Sequence, residues 1–147
     1  MTIYTIGFTQ KTAEQFFESI KANAVELLID IRLNNKSQLA GFSKGTDLAY
    51  FLKAICGTKY IHCVEFAPTK ELLSNYQKGN TSWPEYEILF NEILEKRGDY
   101  RVFLKRFDKI NKVCLLCSEP TPEQCHRRLV AEKIQATAPM DVEVKHL

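Results

Sequence analysis

The sequence lacks several features that would set it apart from ordinary globular proteins. Its 147 residues contain no uncharged apolar run near the ~18 residues that a membrane span needs. Glycine and proline are scarce, at six and five residues, and no repeat or low-complexity stretch occurs, which excludes collagen-like and disordered classes. Neither sign of charge dominates: the formal net charge is +2, too small to argue for nucleic acid or membrane binding.

The N-terminal residues also lack the basic segment followed by an apolar one that marks a secretory signal. The chain has five cysteines, an odd number that cannot be paired completely within one chain. Both observations favour a cytoplasmic protein with free thiols and no membrane association. Most of the cysteines are then expected to behave as small apolar side chains.

Short apolar runs alternate with segments of helical periodicity along the whole chain. The strand candidates are Ile3–Ile6, Val25–Arg32, Tyr60–Val64, Val113–Cys117 and Val142–Val144. The second run is almost continuously apolar, which is typical of a strand covered on both faces. The alternation predicts an α/β fold, in which residues 1–147 form a single layered domain with a mainly parallel sheet of about five strands flanked by helices. The order of the strands stays open.

Several helices are expected to start at capping residues. The pattern of a hydroxyl residue followed three positions later by Glu or Gln occurs at Thr12, Ser82 and Thr121. At the third of these, Pro122 occupies the favoured first helical position, so the last helix is predicted to begin near it. Thr46 is a further cap candidate.

Chemistry-bearing side chains follow the second and fourth predicted strands. In open parallel sheets, ligands bind beyond the carboxyl ends of the strands, so these residues are expected to meet at one edge. We therefore expect Arg32 and His126 to be neighbours in the folded protein, although they are far apart in the sequence. Substrate binding is expected of Arg32, Lys36, Ser37 and Arg127, and catalysis of Asp30, Glu119, His126 and Cys125.

Each of these residues also has a structural interpretation. Asp30 and Arg32 lie on the same side of an extended chain and can pair with each other, or Asp30 can act as a base or hold a hydrated cation such as magnesium. His126 is either an acid–base group near Glu119 or a core histidine bonded to a carboxylate or carbonyl. Cys125, near a helix N-terminus and beside arginines, is either a thiolate nucleophile or an inert residue sealing the helix.

A zinc site is not expected from the cysteine spacing. Cys114 and Cys117 are three apart on a strand and should point to opposite faces. Cys125 and His126 are adjacent on the predicted helix and should also diverge. No metal ligand is therefore assigned.

The residues at these positions resemble the family labelled domain of unknown function 488. The resemblance spans nearly the whole chain, and its marks are Thr5-Ile6-Gly7, Asp30-Ile31-Arg32, Ser37, Phe42, Leu116-Cys117-Ser118-Glu119 and Cys125-His126-Arg127. Phe8 and Thr9 stand where the family has a histidine and a serine, so no role of that histidine is carried over. The resemblance implies one compact α/β domain with a shared site, and it implies no reaction.

Three functions are compatible with this sequence. The first is a hydrolase or group transferase acting on a nucleotide, a nucleic acid or a phosphorylated metabolite. The second is a non-catalytic module that binds nucleic acid or another ligand, with the charged residues as its recognition surface. The basic and aromatic stretch at 96–112 can also indicate nucleic acid binding, but Phe103 and Phe107 fit a core stripe, which favours a solvated helix face there. The third is a redox or thiol-transfer protein that uses Cys117 and Cys125. Oligomeric state stays open.

Overall fold

The structure of the protein, a computed structural model, describes residues 1–36 and 41–147. The strands of its sheet are β1 (Thr2–Gly7), β2 (Leu27–Asp30), β3 (Lys59–His62), β4 (Lys112–Cys117) and β5 (Glu143–His146). The α-helices within the described ranges are α1 (Ala13–Ala22), α2 (Gly45–Phe51), α3 (Lys70–Gln77), α4 (Trp83–Arg97), α5 (Asp99–Arg106) and α6 (His126–Thr137).

The strands form one sheet in the order β3-β2-β4-β1-β5, and every neighbouring pair is parallel. The predicted α/β fold with a mainly parallel sheet is confirmed. The three inner strands are almost wholly buried, whereas the edge strands β3 and β5 are largely exposed or half-buried. The predicted runs match β1 and β4 to within one residue at each end, whereas the run at Val25–Arg32 extends beyond β2 at both ends.

Side chains of the strands alternate between two apolar layers, one on each face of the sheet. On one face, Ile6, Leu28 and Leu116 pack with α1 and α2. On the other face, Ile29 and Leu115 pack with residues of α4, α5 and α6. Both faces of the sheet are thus covered, and its exposed polar side chains lie on the edge strands β3 and β5.

Two of the three predicted capping boxes form. Thr12 starts α1 and Ser82 starts α4, each with its side chain bonded to the backbone N–H three residues on and the reciprocal Gln or Glu bond also made. The Thr46 cap is wrong, because α2 already begins at Gly45 after an uncapped Lys44. There the backbone N–H of Gly45 bonds to the carbonyl of Asn35 at 2.8 Å instead.

The third predicted box is wrong, and this matters for the site. Residues 121–124 form bends and turns, and α6 begins only at His126. Cys125 precedes the helix in an extended conformation, with φ −139° and ψ 136°, and its side chain makes no cap bond. Its backbone N–H instead closes a turn onto the carbonyl of Pro122 at 3.2 Å. The extended conformation is what turns the Cys125 side chain inward.

None of the helices in the described ranges combines the length and apolar character needed to cross a membrane.

Candidate functional site

A cavity of about 220 Å³ opens at the carboxyl ends of β2 and β4. These strands are neighbours, but the chain leaves β2 toward α2 on one face and leaves β4 toward α6 on the opposite face. Such a divergence opens a crevice in parallel sheets and is where their ligands bind. The cavity is lined by segments 32–34 and 117–119, by the start of α6, and by an aromatic wall from α3 and α4.

Asp30 and Arg32 form a buried, two-pronged ion pair at the end of β2. Nε of Arg32 donates to Oδ1 of Asp30 at 2.8 Å, and Nη2 donates to Oδ2 at 2.7 Å. The Asp30 carboxylate also accepts from the Arg32 backbone N–H at 3.1 Å and from the Tyr60 hydroxyl at 2.7 Å. Burial and the adjacent carboxylate raise the pKa of Tyr60, so the phenol keeps its proton. The mutual pairing anticipated as the structural alternative is thus present.

Arg32 keeps one donor unused. Its Nη2 also bonds to the carbonyl of Ser43 at 2.7 Å, and its guanidinium lies over the Phe8 ring, 5.1 Å from the centroid. Nη1 is buried and has no hydrogen-bond partner among the described residues. A buried donor without a partner is costly, so the residue retains capacity for an acceptor arriving from the cavity that it lines.

Cys117 and His126 form a thiol–imidazole pair at the cavity wall. Sγ of Cys117, the last residue of β4, lies 3.4 Å from Nδ1 of His126. Nε2 of His126 lies 2.8 Å from the carbonyl oxygen of Ile31, which can only accept, so Nε2 carries the proton. In the neutral ring Nδ1 is then the acceptor and faces the thiol. The expected proximity of Arg32 and His126 is also present, since both line this cavity.

The pKa values of the two cysteines at the cavity are shifted in opposite directions. Burial by itself would raise the pKa of Cys117, but hydrogen bonds from the Cys125 thiol and the Glu119 backbone, together with the Arg127 charge, lower it below the ordinary thiol value. Burial raises the pKa of Cys125, and the adjacent Cys117 raises it further. The raised pKa of Cys125 favours the structural alternative for that residue, and the lowered pKa of Cys117 favours a thiolate there.

Arg127 contributes a buried positive charge behind the cavity. Its side chain is 0% exposed, and Nη1 donates to the carbonyl of Glu119 at 2.6 Å. Nε and Nη2 have no hydrogen-bond partner within the described part of the chain. Gly7 makes room for this arrangement, since a Cβ there would lie 1.6 Å from the Glu119 carbonyl oxygen. Arg127 does not line the cavity. It acts on the cavity through the electric field of its charge and by holding the 117–127 loop through the bond to the Glu119 carbonyl.

The remaining predicted site residues lie at different places. Glu119 is exposed and lines the cavity. Asp30 lies beneath it, enclosed by Arg32 and Tyr60. Lys36 is exposed and is absent from the described lining, and Ser37 lies outside the described residues.

Sequence reasoning missed an aromatic wall opposite the charged residues. Trp83 stacks on Tyr86 with ring centroids 5.1 Å apart, and Tyr76 meets both rings edge-on or tilted. All three line the cavity. Tyr76 falls in a helical apolar pattern and Trp83 at a helix start, both typical of core packing, and only the placement of α3 and α4 over the strand ends brings these rings to the cavity.

The donor set at the cavity also bears on metal binding. One atom each of Cys117, Cys125 and His126 lie within 4.8 Å of one another, a spacing that could accommodate a soft ion such as Zn²⁺. The predicted divergence of Cys125 and His126 is wrong, because Cys125 is extended and lies outside the helix. The Asp30 carboxylate, by contrast, is occupied by Arg32 and Tyr60.

The chain was compared with known proteins. No curated protein and no solved structure matches it. A family model, described as a domain of unknown function, DUF488, matches residues 12–134. The matched range contains β2, β4 and most of α6, and with them the cavity residues contributed by these elements. By this match over most of its length, the chain belongs to the DUF488 family.

Proposed function

We propose that this protein is a hydrolase or group transferase that acts on an anionic substrate through nucleophilic attack by Cys117. The observation that carries the proposal is the orientation of Cys117, His126 and the Ile31 carbonyl, with separations of 3.4 and 2.8 Å. A nucleophile next to a base that a third group holds in one tautomer is the arrangement of covalent catalysis. His126 is the base, and the Ile31 carbonyl orients it.

An excess of buried positive charge supports an anionic nucleophile and an anionic substrate. Arg32 and Arg127 are 3% and 0% exposed, and the buried carboxylate of Asp30 pairs only with Arg32. No carboxylate lies within ion-pair distance of Arg127 among the described residues. An unpaired buried charge is costly, so the Cys117 thiolate and a bound anion both reduce this cost.

The substrate's anionic group is assigned to Arg32, whose Nη1 has no other acceptor within the described ranges. A nucleotide, a short nucleic acid or a phosphorylated metabolite fits this requirement, and arginine binds phosphate through directed N–H donors. Lys36 and Ser37 follow Arg32 in the sequence, and their expected role in substrate binding stays a prediction. Arg127 contributes its field from behind the 117–127 loop.

The reaction has two steps. The Cys117 proton moves to Nδ1 of His126, and the sulfur attacks the phosphorus or carbonyl carbon of the substrate. The bond to the leaving oxygen breaks, and that oxygen takes the proton from His126. Water or an acceptor hydroxyl then attacks the thiol-linked intermediate and gives its proton to His126, and the departing Cys117 sulfur recovers that proton from His126. Glu119, exposed at the cavity, is assigned to orient the second nucleophile.

A panel of phosphorylated and acylated anionic compounds, assayed with and without magnesium, tests this proposal. The Cys117→Ser variant is expected to lose turnover at least about a hundredfold, since it removes the nucleophile. Arg32→Lys keeps the charge but loses the planar fork, so its KM should rise with a smaller effect on kcat. Cys114→Ala is the matched control, because Cys114 lies on the same strand among residues of the opposite core layer.

Two results would contradict the proposal. One is equal turnover by the wild type and Cys117→Ser. The other is salt-dependent binding of nucleic acid with no turnover of any compound, which would identify a recognition module instead. The cysteines are all free in the structure, which supports our placing the reaction in the reducing cytoplasm.

A further inference from the structure

We propose that Cys117 and Cys125 form a reversible disulfide when a hydroperoxide oxidises Cys117, with Cys125 as the resolving thiol. This inference goes beyond the proposed function and does not require the group-transfer reaction to be correct. It assigns Cys125, which is not the nucleophile, a chemical role. The site of modification is the loop that joins β4 to α6.

The loop geometry brings the two sulfurs together. Cys117 ends β4, Cys125 precedes α6, and their sulfur atoms lie within 4.8 Å of each other and of His126. A disulfide needs about 2.05 Å between sulfurs, so its formation requires the two side chains to rotate toward each other from this starting point. The residues between them, 118–124, lie outside any helix or strand.

The other cysteines are poorly placed to compete. Cys114 packs in the core layer with α1 and α2, and Cys63 packs in the opposite layer with α5. Cys56 lies at the end of the helical segment after α2, where its thiol bonds to the carbonyl of Phe17. Cys117 and Cys125 are therefore the matched pair among the described cysteines, and both line the cavity that a small oxidant can enter.

The chemistry balances in two steps. The Cys117 sulfur attacks the outer oxygen of the hydroperoxide, the O–O bond breaks, and the alcohol or water that leaves takes a proton, so that Cys117 becomes a sulfenic acid. The Cys125 thiol then attacks that sulfur, the S–O bond breaks, and one water leaves as the disulfide forms. An external dithiol restores both thiols by exchange. Without Cys125, a second hydroperoxide carries Cys117 on to the sulfinic acid.

The test treats the reduced full-length chain with a small excess of hydrogen peroxide, alkylates the remaining thiols and locates each modification by peptide mass spectrometry. We expect a Cys117–Cys125 cross-linked peptide, reversed by dithiothreitol, in the wild type and in the Cys114→Ala control. In Cys125→Ser we expect Cys117 to reach the sulfinic acid instead. In Cys117→Ser we expect Cys125 to remain available for alkylation. Because the readout is a peptide mass, the test of the disulfide does not depend on finding a substrate for the proposed reaction.

Several outcomes would overturn the inference. They are sulfinic acid formation at Cys117 at the same rate in the wild type and Cys125→Ser, a disulfide from Cys117 to another cysteine, and the absence of any oxidation at Cys117. One equivalent of zinc that is retained on purification and blocks alkylation of both thiols until chelation would also overturn it. Circular dichroism of each variant before treatment ensures that folded proteins are compared.

Discussion

At the scale of single residues, the site depends on which sulfur carries the charge. Cys117 receives hydrogen bonds from Cys125 and from backbone N–H groups, and Arg127 lies behind it. Cys125 is the cysteine closer in sequence to Arg127 and Arg128, yet its pKa is raised by burial and by Cys117. The charge of a buried thiol is therefore set by the donors that reach it, and sequence proximity to arginine is a poor guide.

The first prediction concerns the pH dependence of alkylation at Cys117. Only the thiolate reacts, and the folded-state pKa of Cys117 is lowered, so half-maximal reactivity should occur at a lower pH than in the unfolded chain, where thiols titrate near ~8.5. The groups facing this sulfur are Cys125, His126, Arg127 and Arg32, with Tyr86 across the cavity. Iodoacetamide rates followed by peptide mass spectrometry provide the measurement.

The alkylation is measured in the Cys56→Ser variant, which lacks the most exposed thiol of the described cysteines. The same chain in urea supplies the reference titration. A folded-state midpoint equal to or above the reference would contradict the lowered pKa and remove the main electrostatic support for Cys117 as the nucleophile.

At the scale of elements, a capping sequence determines where a helix starts only if no long-range packing requires a different start. The boxes at Thr12 and Ser82 form because their helices start in exposed positions with nothing else for the caps to bind. At residues 121–124 the same pattern fails, since the chain must first cross over the ends of β4 and β1 to reach α6. Burial of the Cys125 and His126 side chains outweighs a cap of about 1 kcal/mol.

The second prediction compares these two patterns. Ser82→Ala should lower the free energy of unfolding by about 1 kcal/mol, because the Ser82 hydroxyl accepts the Glu85 backbone N–H and no other group replaces it. Thr121→Ala, at an exposed residue that caps no helix, should change it by less than about 0.5 kcal/mol. Urea denaturation of both variants measures the difference. An equal loss of unfolding free energy in the two variants would show that Thr121 acts as a helix cap.

At the scale of the whole molecule, the buried pair of Asp30 and Arg32 connects separate parts of the fold. It joins the end of β2 to Tyr60 on β3 and to the Ser43 carbonyl before α2. The pair is both a structural anchor and the support that positions the free nitrogen of Arg32. Removing one partner leaves the other charge buried, which is more costly than removing both.

The third prediction follows from this asymmetry. Asp30→Ala should lower the free energy of unfolding by about 3–5 kcal/mol, since Arg32 loses its carboxylate. The double variant Asp30→Ala/Arg32→Met should recover part of this loss, because no buried charge remains. Tyr60→Phe, which deletes the hydrogen bond to the carboxylate and the one accepted from Asn35, should cost about 1.5–3 kcal/mol. A double variant no more stable than Asp30→Ala would show that the pair is not what stabilises this region.

The sequence by itself determined the layered α/β class, the inner strands and the clustering of functional residues after β2 and β4. These follow from apolar periodicity and from the rule that parallel strands end at one edge, both of which are local or general. Only the tertiary structure decided the strand order, the pairing of Arg32 with Asp30 and the position of Cys117 beside His126, on which its proposed role rests. Each of those depends on which buried donors and charges meet across long stretches of chain, and no local pattern specifies that.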